Sequence, residues 1–153
     1  MTARAAVPRL SLTSVRYAVA EDLDRLAGIE ADADRLLVDH LGAHRWPPPT
    51  AGEDRARRGM VLVVGQPAVG FAHLVDPGQG GGSSVHLDQL AVHPAAGRRG
   101  IGRMLLRAAM GSALDRGATE LTLTTFAHVP WNAPWYRREA FAVVDETDPG
   151  RQG

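Results

Sequence analysis

Apolar and polar positions change their spacing several times along the chain, and each change marks an element. Ser14–Val19 alternates enough for a first strand, and Glu21 and Asp22 follow where a helix N-terminus favours acids. Leu23, Leu26, Ala27, Ile29, Ala33, Leu36 and Leu37 then give an imperfect helical face through about residue 40. Trp46-Pro-Pro-Pro49 breaks that face, and Thr50–Arg58 has room for a short second helix. Met60–Val64 and Ala68–Val75 read as two strands joined at Gly65-Gln66-Pro67, a hairpin by its turn chemistry. Asp76–Ser84 is a glycine-rich loop. Val85–Val92 is rich in apolar residues and closed by His93-Pro94, which reads as another strand, because proline cannot continue a ladder and holds its predecessor extended. From Ile101 onward, apolar residues at 101, 104, 105, 108 and 109 fall on one helix face, with Gly117 placed to end it. Glu120–Phe126 is a strand, Asn132-Ala-Pro134 opens a short helix with Asn as N-cap, and Phe141–Val144 is a last strand. The order β-α-α-β-β-β-α-β-α-β predicts an α/β fold, a mixed sheet with helices on both faces. No repeat or boundary divides it, so residues 14–147 are expected to form a single domain between an arm (1–13) and a polar tail (148–153).

With 153 residues, 44% of them hydrophobic, the chain can bury one sizeable core. Its 17 acidic and 17 basic residues cancel, so no overall field points to nucleic acid or to an acidic membrane as partner. Locally the charges separate. Glu21, Asp22, Asp24, Glu30, Asp32, Asp34 and Asp39 face only Arg25 and Arg35, whereas Arg98, Arg99, Arg103 and Arg107 cluster with no acid among them. Every basic residue is arginine, which suits phosphate recognition. The absence of cysteine excludes disulfides, thiolate metal sites and a cysteine nucleophile. No apolar run approaches the roughly 18 residues of a membrane span, and residues 1–13 lack the apolar segment of a secretory signal, so a cytoplasmic chain is expected. His40 and His44 have helical metal-ligand spacing, but Gly42 interrupts them and no third ligand is evident, so they read as a surface pair and no metal is expected.

Between the strand at Val85–Val92 and the helix from Ile101 lies Gly97-Arg98-Arg99-Gly100-Ile101-Gly102. A strand feeding a glycine-rich turn that opens a helix can bind phosphate: the first helical turn has free backbone N–H groups, and glycine lets an anion approach them. The same spacing also fits an ordinary strand–helix junction with a solvated basic face. It is neither the dinucleotide fingerprint, whose third glycine is replaced by Leu105, nor a Walker A loop, since no Gly-Lys-Ser/Thr follows.

What the stretch resembles is motif A of the GCN5-related N-acetyltransferase (GNAT) superfamily, from Leu90-Ala-Val-His-Pro94 through Gly100-Ile-Gly102 to Met104-Leu-Leu106. A second stretch, Asn132-Ala-Pro-Trp-Tyr136 through Phe141, looks like that family's asparagine, helix tyrosine and closing strand, so the resemblance covers residues 14–147. Two departures stand out: Gly97 occupies a position normally Gln or Arg, where Arg98 or Arg99 would have to substitute, and Ala140 replaces a glycine.

The resemblance implies a mostly antiparallel mixed sheet and acetyl-CoA as cosubstrate. It places the pyrophosphate on the backbone of Gly97, Arg98, Arg99, Gly100, Ile101, Gly102 and Arg103. It places the pantetheine arm along the backbone of Leu90, Ala91 and Val92, with Asn132 and Tyr136 completing the coenzyme site. Tyr136 matches the family's general acid; otherwise it is a structural tyrosine on a helix face. The family often takes the substrate proton through a carboxylate or histidine near the middle of the central strand. His86 and Asp88 share one face there by the strand period of two, Asp88 being the first choice, with His93 and His128 weaker. Either is alternatively a satisfied polar residue facing the first helix. Glu30, beside apolar Ile29, is the candidate to meet a cationic amine; the alternative is a solvated helix face. The expected reaction is N-acetylation of a primary amine, a small molecule, by direct attack in a ternary complex, since no cysteine is available to carry the acetyl group. Acetylation of a protein or peptide N-terminus and a non-catalytic acyl-CoA-binding module remain as alternatives, and a homodimer is left open.

Overall fold

In the computed structural model the described strands lie in the sheet in their chain order. The elements are β1 (Val15–Tyr17), α1 (Ala20–Leu41), α2 (Gly52–Arg58), β2 (Met60–Val64), β3 (Gly70–Val75), β4 (Ser84–Val92), α3 (Ile101–Asp115) and β5 (Glu120–Leu123). The structure describes residues 14–42, 46–76, 84–97, 99–123 and 138. Neighbouring strands β1 to β4 run antiparallel, and β5 joins β4 in parallel. A parallel partner requires a crossover, which α3 supplies. The result is the expected mixed, mostly antiparallel sheet.

Strand alternation splits the core in two. Leu62, Val64, Ala72, Leu74, Val85 and Leu87 pack with Ile101, Leu105, Leu106, Ala109 and Ala113 of α3. The intervening residues Val61, Val63, Phe71 and Ala91 pack instead with Leu26 and Ile29 of α1. Helices therefore cover both faces; α3 buries Ile101, Leu105 and Ala109 of its expected stripe, whereas on α1 the stripe is buried at Leu26 and Ile29 but Leu36 is exposed.

The element ends have local causes. Asp22 accepts the Val19 amide at 2.8 Å, so the first turn of α1 is tied down by its own side chain. Arg16 grips the same carboxylate with two bonds of 2.6 and 2.9 Å and also donates to the Gly65 carbonyl at 2.9 Å, joining β1, α1 and the β2–β3 turn. At the C-terminus of α3, Gly117 adopts φ 83° and donates to Leu114, while Ala118 donates to Ala113, the paired bonds of a Schellman cap.

Several expected boundaries shift. β1 is shorter than Ser14–Val19, and β4 begins one residue early at Ser84. Ala68 belongs to the turn rather than to β3: Val69 N–H bonds back to Val64 O at 2.8 Å, and the Ala68 carbonyl accepts Arg25 Nε at 3.0 Å. Thr50 is not helical, since its amide reaches out to Glu30 Oε2 at 3.2 Å. The strand is described only to Leu123; the arm, the tail, the helix from Asn132 and the strand Phe141–Val144 lie outside the described residues.

Candidate active site

β4 pairs in parallel with β5 over Ser84–Leu87, opposite Glu120–Leu123, as far as β5 is described. Its register with β3 breaks after Leu87: Leu74 faces Leu87, His73 faces Gln89, and Asp88 is the extra residue of a β-bulge. A bulge bends its strand and re-aims a side chain. Beyond it, Leu90 and Val92 turn their side chains toward the α3 core, and Ala91 toward the α1 core.

The chain then makes a single 3-10 turn, Pro94–Ala96, before reaching α3. Gly100 sits at φ 75° as N-cap, and a Cβ there would meet nothing, so glycine is required by its left-handed backbone rather than by lack of space. The first helical bond runs from Met104 N–H to Gly100 O at 3.0 Å, and the N-cap, being glycine, offers no side chain to the terminus. The amides of Ile101, Gly102 and Arg103 thus precede the first intrahelical donor, at the positive end of the helix dipole. Arg99 and Arg103 are exposed beside them. Gly97 has ordinary backbone (φ −66°), and a Cβ added there would meet only the Pro94 carbonyl, at 3.2 Å.

On the α1 side, a charged cluster surrounds one arginine. Arg55 of α2 is 3% exposed; its Nη1 donates to Asp88 Oδ2 (3.0 Å) and to His73 Nδ1 (2.9 Å), and its Nη2 donates to Glu30 Oε2 (3.0 Å). The guanidinium also lies 5.5 Å from the centre of the Phe71 ring. An arginine cannot accept a hydrogen bond, so His73 Nδ1 is the acceptor and the neutral ring carries its hydrogen on Nε2. Burial, followed by the charge of Arg55, holds the His73 pKa below its ordinary value, despite the opposing pull of Asp88. Arg55 Nε and His73 Nε2 have no hydrogen-bond partner among the described residues. The short helix carrying Arg55 is pinned by close approach at both ends: a Cβ on Gly52 would stand 2.1 Å from the Leu23 carbonyl oxygen, and one on Gly59 2.0 Å from that of Leu74.

Two further contacts border the cluster. Asp34 accepts Trp46 Nε1 at 3.2 Å, and burial raises its carboxyl above the usual range, although the Trp46 bond and Arg55 oppose the shift. His93 Nδ1 accepts the Ala95 amide at 3.1 Å, which leaves its Nε2 to donate to Asp32 at 3.1 Å, tying the end of β4 to α1.

A family model described as the acetyltransferase (GNAT) family matches residues 17–141. The chain belongs to the GNAT acetyltransferase family. Solved GNAT-like structures agree in fold. One is a transcriptional regulator from Bacillus halodurans C-125, with TM-score 0.67, 22% identity, and coverage of 87% of this chain and 95% of that one. A GNAT-family acetyltransferase from Streptococcus pneumoniae TIGR4 matches with TM-score 0.56 and 22% identity, covering 85% of this chain and 87% of that one. An aminoglycoside acetyltransferase from an uncultured soil metagenomic sample, in complex with trehalose, gives TM-score 0.60 and 17% identity over 87% of this chain and 90% of that one.

Within this GNAT fold, Asp88 and Glu30 converge on one arginine, and Leu90–Val92 lead into the turn that opens α3. His86 is drawn elsewhere: its Nδ1 lies 2.8 Å from Thr122 Oγ1 on β5. Glu30 is buried rather than on a solvated face, but its Oε2 already holds Arg55 and the Thr50 amide, so Arg55 balances the charge expected to meet a substrate ammonium. Arg98, His128, Asn132 and Tyr136 lie outside the described residues, as does His44, and among the described residues no cluster of metal-ligating side chains occurs. No described helix is long and apolar enough to cross a membrane. Sequence reasoning missed Arg55 and His73. His73 carried a signal, being the one polar residue of the strand GFAHLV. Arg55, one of three arginines in the charged segment GEDRARR, carried none.

Proposed function

We propose that this GNAT protein transfers the acetyl group of acetyl-CoA to a primary amine of a small molecule, by direct attack in a ternary complex. The observation that carries the reading is the junction of β4 and α3. The end of β4, bent at the Asp88 bulge, leads through one turn to the helix N-terminus at Gly100–Arg103, beside exposed Arg99 and Arg103. An extended pantetheine arm fits the former as an added strand, through the backbone of Leu90 and Val92. A pyrophosphate fits the latter, where the amides of Ile101–Arg103 and the helix dipole supply what an anion needs.

In this scheme the amine nitrogen attacks the thioester carbonyl carbon, the C–S bond breaks, and coenzyme A leaves as a thiolate. The nitrogen sheds two protons, one before attack and one as the amide forms, and the thiolate gains one. An alkylammonium of pKa near 10.4 loses one at pH 7, at a cost of roughly 4–5 kcal/mol. Asp88, half-exposed on the bulge, is the group assigned to receive it, directly or through water. His86 is the second choice, because its Nδ1 is engaged with Thr122. Tyr136 is assigned to protonate the thiolate, its phenolate recovering the second proton that the nitrogen sheds as the amide forms. Glu30 contributes to the amine subsite only indirectly: it neutralises Arg55, so that the charge of Asp88 is left for the ammonium.

The test is release of free coenzyme A from acetyl-CoA across a panel of alkyl diamines, aminoglycosides, amino acids and a peptide with a free N-terminus. A small amine should give the highest kcat/KM, with Asp88→Asn lowering kcat about 10²- to 10⁴-fold. Preference for the peptide would overturn the small-molecule assignment. Acetyl-CoA binding without turnover of any amine would leave a binding module instead.

A further inference from the structure

We propose that Arg55 is a positioning residue for Asp88: clamped by Glu30, His73 and the Phe71 ring, its guanidinium holds one carboxylate oxygen and leaves the other for an incoming amine. The assignment rests on the reading of Asp88 as proton acceptor and gives Arg55 a role beyond holding the fold.

Three observations point the same way. First, the buried charges are satisfied without Asp88: Arg55 and Glu30 pair at 3.0 Å, and His73 Nδ1 is a further buried acceptor. The added bond to Asp88, whose side chain is 48% exposed, stabilises little, because a half-exposed pair is screened by water. It does fix direction. Second, Asp88 is the extra residue of the bulge, so the ladder that orients its neighbours does not orient it. Something else must, and Nη1 is the donor that meets it. Third, the donor is itself immobilised. Its second Nη1 hydrogen goes to His73 Nδ1 at 2.9 Å, Nη2 goes to Glu30, Phe71 lies beneath, and Gly52 and Gly59 seat α2 against Leu23 and Leu74. The planar fork of arginine serves these three acceptors together; a lysine ammonium, as a single point of charge, does not. His73 completes the device by staying neutral, since a protonated ring would surrender the lone pair that Nη1 uses.

A cycle of variants tests this, assayed as coenzyme A release with acetyl-CoA and the most reactive amine of the panel above. Arg55→Lys keeps a cation against Glu30. Glu30→Gln/Arg55→Met removes both buried charges together, so that neither is left uncompensated and the fold is retained. Each should lower kcat on the order of 10²-fold in the parent, the cost of a reacting group displaced by about an ångström. Each should change kcat less than about threefold in an Asp88→Asn background, where nothing remains to position. KM for acetyl-CoA should stay constant throughout. Equal losses in both backgrounds, or parental kcat in a folded Glu30→Gln/Arg55→Met protein, would overturn the role of Arg55 while leaving that of Asp88 standing. Parental kcat in Asp88→Asn alone would overturn both.

Discussion

On the α3 side of the sheet, Ile101, Leu105, Leu106 and Ala109 close over Leu62, Val64, Ala72 and Leu74, with Ser112 as the buried polar residue of that helix. On the α1 side, Leu26, Ile29, Val63 and Phe71 share the interior with Asp22, Glu30, Arg55 and His73. The first arrangement gains from every atom removed from water and tolerates any geometry that fills the space. The second removes charges from water, which is unfavourable unless each meets a partner at hydrogen-bond distance. An apolar face of similar volume would be at least as stable. The polar face therefore reads as an investment in geometry, placed where Asp88 stands on its bulge.

The comparison can be broken from the polar side first. Arg55→Met leaves Glu30 buried and unpaired, and should cost about 3–5 kcal/mol in chemical denaturation, most of it recovered by adding Glu30→Gln. Independent, additive effects of the two changes would mean that the pair does not exist in solution. On the apolar side, Leu105 is fully buried, so Leu105→Ala should cost about 2–5 kcal/mol while leaving kcat unchanged wherever the protein remains folded. A fall in kcat in that folded variant would show that the two faces are not separable.

Smaller effects sharpen the picture. The Arg16 bonds hold the Asp22 carboxyl below its ordinary value of 3.8. Its contribution is therefore present above pH 3.8 and lost as pH falls through the lower folded value. Asp22→Asn should cost about 1–3 kcal/mol at pH 7 and flatten the acid limb of stability against pH. Asp34 is the opposite case, its carboxyl raised chiefly by burial. Its contribution is present below the ordinary 3.8 and lost as pH rises through the higher folded value, so at neutral pH the charge is a cost. Asp34→Asn keeps an acceptor for Trp46 and should leave the melting temperature at pH 7 unchanged or slightly higher; a clear fall would assign the carboxylate a stabilising partner.

Legibility in the sequence follows the same division. Met60–Val64, the start of the helix at Ile101 and the Gly117 terminus are read correctly from periodicity and turn chemistry, because apolar spacing reports directly on what a face must bury. Boundaries slip where a backbone group finds a partner far along the chain, as Thr50 does with Glu30 and Ala68 with Arg25. The bulge at Asp88 has no local signature, since the strand reads equally well without it. Arg55 is invisible for a stronger reason: a buried arginine is legible only through acceptors 25, 18 and 33 residues away. Glu30 stands beside Ile29 on the buried side of α1, but nothing local in the sequence points to its partner Arg55.

The junction of β4 and α3 is the proposed seat of acetyl-CoA, and thermal unfolding with and without that cosubstrate tests this without knowledge of the acceptor. At a concentration 100-fold above Kd, acetyl-CoA should stabilise the protein by about 2.7 kcal/mol. Gly102→Asp, which sets a carboxylate among the first-turn amides, should abolish the gain without lowering the melting temperature of the free protein to match. An unchanged melting temperature of the parent protein in saturating acetyl-CoA would contradict the account.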